Sequence, residues 1–178
     1  DGEVTLNIPE EHFFPWSPDS PFLYDLTVGT TQGEEESFDT VHSYFALRKW
    51  SCAPDARGVL RFCLNDRPLL LNGLLDQGYW PEGLYTPPSD AAVVHELQTI
   101  KELGFNLLRK HAKIEPERWY YHCDKLGLIV WQDMVNGGGK MNQWYVTYLT
   151  NALLPLLRHT PDAKPLWGLL GRETEASR

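Results

Sequence analysis

Cysteine is scarce in this 178-residue chain: Cys52, Cys63 and Cys123 are odd in number and far apart. That pattern argues against a disulfide framework and points to structural thiols, so a reducing compartment is permitted. Basic residues are outnumbered, 16 Lys and Arg against 24 Asp and Glu, giving a net charge of −8 and a pI near 5.2. A binder of phosphate backbones needs clustered positive charge, so nucleic acid is not an expected partner. The six histidines contain no HxxxH pair and no Cys/His cluster with zinc spacing, and neither a metal nor a cofactor is implied. No apolar run approaches the roughly 20 residues that span a bilayer, and DGEVTLNIPE has neither a basic n-region nor an apolar h-region. Membrane anchoring is therefore not expected. The chain does not begin with Met, and its closing GRETEASR resembles the first turn of an unfinished helix. We expect a piece of a longer soluble protein, with the cytoplasm slightly favoured.

What is present is organised around Gly104 to Asp133. Leu103-Gly104-Phe105-Asn106-Leu107-Leu108-Arg109 and Leu126-Gly127-Leu128-Ile129-Val130-Trp131-Gln132 repeat one pattern: a helix-like run stops at Gly, an apolar run of strand length follows, and polar residues appear at its end. This is the signature of a βα repeat with buried parallel strands.

The preceding part reads as β. Glu3 to Ile8, Phe22 to Thr30 and Phe38 to Arg48 are strand-like, and Phe22, Tyr24, Leu26 and Val28 alternate with Leu23, Asp25 and Thr27 as in a half-buried antiparallel strand. Glu34-Glu35-Glu36 reads as a solvated loop and Trp50 to Gly58 as a connection. Val59 to Leu64 and Arg67 to Asn72 flank Asn65-Asp66 as a hairpin. After Asn72 the period changes. Ser89 or Asp90 caps a helix carrying Val93, Leu97 and Ile100, and Glu115-Pro116-Glu117 opens a second with Trp119, Cys123 and Leu126 inside and Asp124 and Lys125 on its solvated face. Gly137-Gly138-Gly139 reads as a loop and Gln143 to Arg158 as a helix bent at Pro155. A β domain followed by a βα domain is the expected architecture.

In parallel α/β folds ligands bind beyond the carboxyl ends of the strands. Three such ends carry polar groups: Asp76-Gln77 after a strand around Leu69 to Leu71, Arg109-Lys110-His111 after Leu108, and Gln132-Asp133 after Trp131. Each has a plain structural explanation as well, since an acid can cap a helix and Arg109 can pair with Asp76 or Asp133. Three successive ends together make a polar pocket the better reading. Tyr79, Trp80 and Tyr85 crowd the loop after the first of these strands, and flat apolar faces beside carboxylates suit a pyranose ring.

These residues resemble glycoside hydrolase family 2, which includes β-galactosidases, β-glucuronidases and β-mannosidases. The resemblance rests on Gly104-Phe105-Asn106-Leu107-Leu108-Arg109, on Pro116 with Trp119 and Tyr120, and on Cys123-Asp124-Lys125-Leu126-Gly127-Leu128-Ile129-Val130. Upstream, Trp16-Ser17-Pro18-Asp19-Ser20-Pro21-Phe22-Leu23-Tyr24 is similar to a segment of the family's immunoglobulin-like sandwich, and Arg67-Pro68-Leu69-Leu70-Leu71-Asn72-Gly73 to the approach to its barrel. The resemblance implies a multidomain β plus α/β chain. Residues 1–58 would end an immunoglobulin-like β-sandwich, and 59–178 would form the first part of a (β/α)8 TIM barrel. It implies retaining hydrolysis of a β-glycoside or oligosaccharide, with Asp76, Gln77, Arg109, His111, Trp131 and Asp133 as substrate-binding residues.

Departures leave the sugar open. Ala112 stands where galactosidases and glucuronidases carry a His, and Leu75, Asp76 and Gln77 replace an Asn, a basic residue and a His. Trp131-Gln132-Asp133 is closer to the mannosidase-like branch. Retaining glycosidases need two carboxyl groups, and the family's acid/base is the Glu of an Asn-Glu pair, yet none of the seven Asn residues here precedes Glu. The chain is thus expected to supply substrate positioning without the catalytic pair, to be inactive alone, and to self-associate through an open barrel edge. A non-catalytic carbohydrate-binding module is the alternative.

Overall fold

The computed structural model describes residues 4–30, 39–133 and 135. All of these except Val135 belong to one compact unit. The Glu34 to Glu36 loop, the glycine loop at 137–139 and the helix expected over 143–158 lie outside the described residues.

The described residues of the unit form three small sheets. Strands β1 (Tyr24–Thr30) and β2 (Asp39–Phe45) form an antiparallel pair in which Tyr24 faces Phe45 and Val28 faces Val41. Strands β3 (Trp50–Pro54), β4 (Leu60–Leu64) and β5 (Arg67–Pro68) form an antiparallel meander. Its β4–β5 turn is Asn65-Asp66, both at positive φ (52° and 62°), the geometry that favours these two residue types in tight hairpins. Strands β6 (Gly73–Asp76), β7 (Leu107–Lys110) and β8 (Ile129–Gln132) form a parallel sheet in chain order.

The parallel strands are joined by two helices. Helix α1 (Asp90–Glu102) starts at Ser89, whose hydroxyl accepts the Ala92 N–H at 3.1 Å. Helix α2 (Glu117–Leu126) ends at Gly127 in the left-handed conformation, φ 78°. A side chain at Gly127 would also collide with the Pro18 carbonyl, so the residue serves both the cap and the packing of the N-terminal segment. Asp90 at the start of α1 pairs with Arg118 and faces His122 on α2, which ties the helices together.

Two apolar clusters sit on opposite faces of the parallel sheet. Leu108 packs with Val93, Leu97, Trp119, Cys123 and Leu128 on the helix side. Leu107 and Ile129, one residue out of phase with Leu108 and Val130, pack with Trp16 and Leu64 from the β part. Trp16 is fully buried, donates its indole N–H to the Asp124 carbonyl at 2.7 Å and lies under the Arg48 guanidinium.

Several elements differ from the sequence expectation. Residues 4–8 form no strand, since no described strand pairs with them. Trp50 to Pro54 is a strand rather than a connection: Trp50 pairs opposite Leu64, and Pro54 stands at the end, where its missing N–H costs little. The first parallel strand is Gly73–Asp76 rather than a run around Leu69 to Leu71, and β7 extends to Lys110 instead of stopping at Leu108. Asp124 is only partly solvated. Its carboxylate accepts from the Tyr44 hydroxyl at 3.0 Å and from Arg48 at 3.4 Å, because the β1–β2 pair lies against this side of α2.

Candidate functional site

The register of the parallel sheet decides which strand-end side chains can act together. Leu75, Arg109 and Trp131 form one cross-strand row, and Asp76, Lys110 and Gln132 form the next. Because successive residues of a strand point to opposite faces, the first row shares a face with Leu107 and Ile129, while the second shares the helix side with Leu108.

On the first face the N-terminal half is covered by Trp16 and Leu64. The C-terminal half is open: Leu75 and Trp131 are 59% and 48% exposed. Arg109 reaches from this row to Asp133, one residue beyond β8, in a two-point contact: Nε to Oδ1 at 3.1 Å and a terminal nitrogen to Oδ2 at 2.9 Å. The hydrogen bond and then the charge of Asp133 raise the Arg109 pKa above its ordinary value. His111 Nε2 stands 4.0 Å from the same Asp133 Oδ2, and its Nδ1 lies 2.9 Å from the Gln77 amide nitrogen. The loop after β6, the end of β7 and the end of β8 are thereby joined at one mouth. Gln77, Arg109, His111, Trp131 and Asp133 are gathered there.

Asp76 is not. It ends β6 on the helix side, where its carboxylate accepts from the Lys110 ammonium and from the Gly78 N–H at 2.7 Å. With Gln77, Gly78, Tyr79 and Glu96 it lines an open cleft of about 350 Å³ between β6 and α1. Burial, then the charge of Asp76, raises the Glu96 pKa.

Three charged residues stand behind the mouth; the sequence reading named Lys110 only as part of a polar strand end, Glu115 only as a helix opener and Lys113 not at all. Lys110, Lys113 and Glu115 are only 0%, 4% and 6% exposed. Glu115 Oε1 accepts a hydrogen bond from Lys110 at 2.9 Å and forms an ion pair with Lys113 at 2.8 Å, and Lys110 also lies over the Trp119 ring, 4.1 Å from its centre. Glu115, just before the N-cap of α2, neutralises two buried ammonium groups, while Glu117 supplies the acid in the first turn of the helix. The readable signal was the phase of the chain: Lys110 falls at the same strand parity as buried Leu108. Gln132 completes this layer by donating to the Lys113 carbonyl at 2.6 Å and accepting from the Tyr120 hydroxyl.

Chemically, the open face offers a flat indole edge, a guanidinium–carboxylate pair and an amide–imidazole pair, which together can stack on a ring and both give and accept hydrogen bonds. Among the described residues no group of three or more potential ligands could hold a metal ion, and no helix is long and apolar enough to cross a membrane.

No family model matches the chain. Curated relatives do. A β-galactosidase of Leuconostoc mesenteroides subsp. mesenteroides is 30% identical over 163 residues, 88% of this chain and 14% of that protein. An exo-β-D-glucosaminidase of Streptomyces avermitilis is 28% identical over 131 residues, 68% of this chain and 14% of that protein. Among solved structures, a GH2 β-galacturonidase of Eisenbergiella tayi bound to galacturonate superposes with a TM-score of 0.62 at 26% identity, covering 73% of this chain and 22% of the other. The chain therefore spans about a seventh of the length of these two curated relatives.

Proposed function

From a chain that is glycoside hydrolase family 2-like in sequence and fold, we propose that the open face supplies the substrate-positioning part of a retaining β-glycosidase site. The observation that carries the reading is the row Leu75, Arg109 and Trp131 with Asp133 at its rim, exposed where parallel strands end. A pyranose would lie against Trp131 and Leu75, with its hydroxyl groups toward Asp133, His111 and Gln77. Asp76 acts behind the face by holding Lys110, not on the sugar.

In this reading residues 1–58 complete an immunoglobulin-like sandwich and 59–178 begin a (β/α)8 barrel. The acid/base and nucleophile carboxyl groups come from outside this chain, in keeping with the absence of any Asn-Glu pair among its seven Asn residues. Arg109, fixed by Asp133, would hold one of those carboxylates in its charged form. The outer edges of β6 and β8 carry no strand partner among the described residues, and such edges favour association of the chain with itself.

A chromogenic screen tests the assignment. Para-nitrophenyl β-galactoside, β-mannoside, β-glucuronide and β-glucosaminide are offered to the 178-residue chain and to the longer protein encoded around it. Hydrolysis by the longer protein alone is expected. Turnover by the chain itself would contradict the division of labour, and tight binding without turnover by either would favour a carbohydrate-binding module.

A further inference from the structure

We propose that Lys113 is the positioning residue of the candidate site: a buried ammonium that sets where the Gly78–Tyr85 loop, and with it Gln77, stands over the open face.

An ammonium can donate several hydrogen bonds at once, and Lys113 donates to the Gly78 carbonyl at 2.9 Å and the Tyr85 carbonyl at 2.8 Å while forming an ion pair with Glu115 Oε1 at 2.8 Å. The two carbonyls bracket residues 78–85 of the loop after β6, so one side chain from the loop after β7 pins both sides of that stretch. Lys113 also lies 4.5 Å from the centre of the Tyr85 ring, and the Tyr85 hydroxyl reaches back to the Ala112 carbonyl. Gly78 gives the close approach its room: at φ 64°, a side chain there would collide with Glu115 and Lys113.

The two segments that meet are held in conformations they would not keep alone. Ala112 and Leu84, one in each loop, both sit at φ 53°, a region disfavoured for residues with a Cβ. Such conformations persist where surrounding contacts over-determine them. The contacts are those of Lys113, together with the Trp80 N–H to Leu84 carbonyl bond at 2.7 Å inside the loop. Gln77 precedes Gly78 directly and meets His111, which precedes Ala112 directly. A shift at either end of the lock is therefore transmitted to the Gln77–His111 contact on the open face. Glu115 keeps the charge count of the buried layer balanced without touching the loop's carbonyls. Lys113 holds the loop; Glu115 neutralises Lys113.

What the loop serves rests on the sugar-site reading above, but the lock can be tested with no sugar present. Amide hydrogen exchange is measured on the 178-residue chain as wild type, as Lys113→Met and as Lys113→Met/Glu115→Gln. Local opening is read separately from global stability in such data. In both variants the amides from Gly78 to Tyr85 are expected to exchange at least ~10-fold faster while β7 and α2 keep their protection. The double variant restores charge balance without restoring the carbonyl contacts, so its loop stays fast even where its melting temperature recovers. A loop restored by Glu115→Gln would mean that Lys113 serves only as a countercharge, and an unchanged loop in Lys113→Met would mean that it serves nothing there; either overturns the proposal. Failure of both variants to fold would place Lys113 in the general support of the βα layer and overturn it too. If the wild-type chain ignores β-glycosides, the sugar reading fails while a loosened loop still upholds the lock.

Discussion

Arg109 on β7 and Asp133, one residue beyond the neighbouring β8, face each other through two hydrogen bonds of 3.1 and 2.9 Å on the side of the sheet that the helices leave open. One residue further along β7, Lys110 meets Asp76 at the end of β6 and Glu115, just before α2, on the helix side. One residue of register thus separates an exposed ion pair from a buried one, and the two respond differently to substitution.

Exposed pairs add little to stability because water screens them and both side chains lose freedom. Arg109→Lys, which cannot make two parallel contacts to a carboxylate, is expected to leave the melting temperature within about 2 °C of the wild type. The loss falls on function: misplacement of a positioning group costs about 100-fold. Scanning calorimetry of the chain and β-glycoside hydrolysis by the longer protein check the two halves.

Lys110 behaves in the opposite way. Its ammonium is fully buried, and its removal leaves Asp76 and half of Glu115's partnership uncompensated. Breaking a buried pair by deleting one member costs about 3–5 kcal/mol. Lys110→Met is expected to lose that much in urea unfolding, and a change below about 1 kcal/mol would show the network to be dispensable.

Alkaline pH addresses the contact between the β part and α2. Burial first, then the Asp124 carboxylate, pushes the Tyr44 pKa up to about 12 from 10.0. A group whose folded pKa is raised stabilises the fold fully below its unfolded value and loses that contribution as pH climbs through the folded one. Tyr44 therefore stabilises the fold below pH 10 and ceases to do so between 10 and about 12. In Tyr44→Phe the alkaline fall in stability over that interval should be shallower, and the absorbance titration at long wavelength should lose one late-ionising tyrosine.

Much of this was readable from residue order. The βα repeat, the Ser89 cap, the Asn65-Asp66 turn and the glycine at the end of α2 follow from local chemistry, and local chemistry is what a sequence displays. The buried network was hidden because Lys110 reads as the polar end of a strand. Only a partner 34 positions upstream and another five downstream let an ammonium continue the strand into the core. Asp124 misled for the same reason: a carboxylate on an outer helix face looks solvated until Tyr44, 80 positions away, is known to cover it. Asp76 and Arg109 were grouped because both end strands, and the sheet register, invisible without the pairing, puts them on opposite faces.

The central claim is that sugar meets the face bearing Leu75, Arg109 and Trp131. Titration of the isotope-labelled 178-residue chain with millimolar methyl β-galactoside and methyl β-mannoside, followed by amide and indole chemical shifts, tests it most directly. The expected result is weak, saturable shifts at Gln77, Arg109, His111, Trp131 and Asp133, with Asp76, Lys110 and Glu115 unmoved. Shifts confined to the helix-side residues, or none on the open face at saturating sugar, would contradict the account.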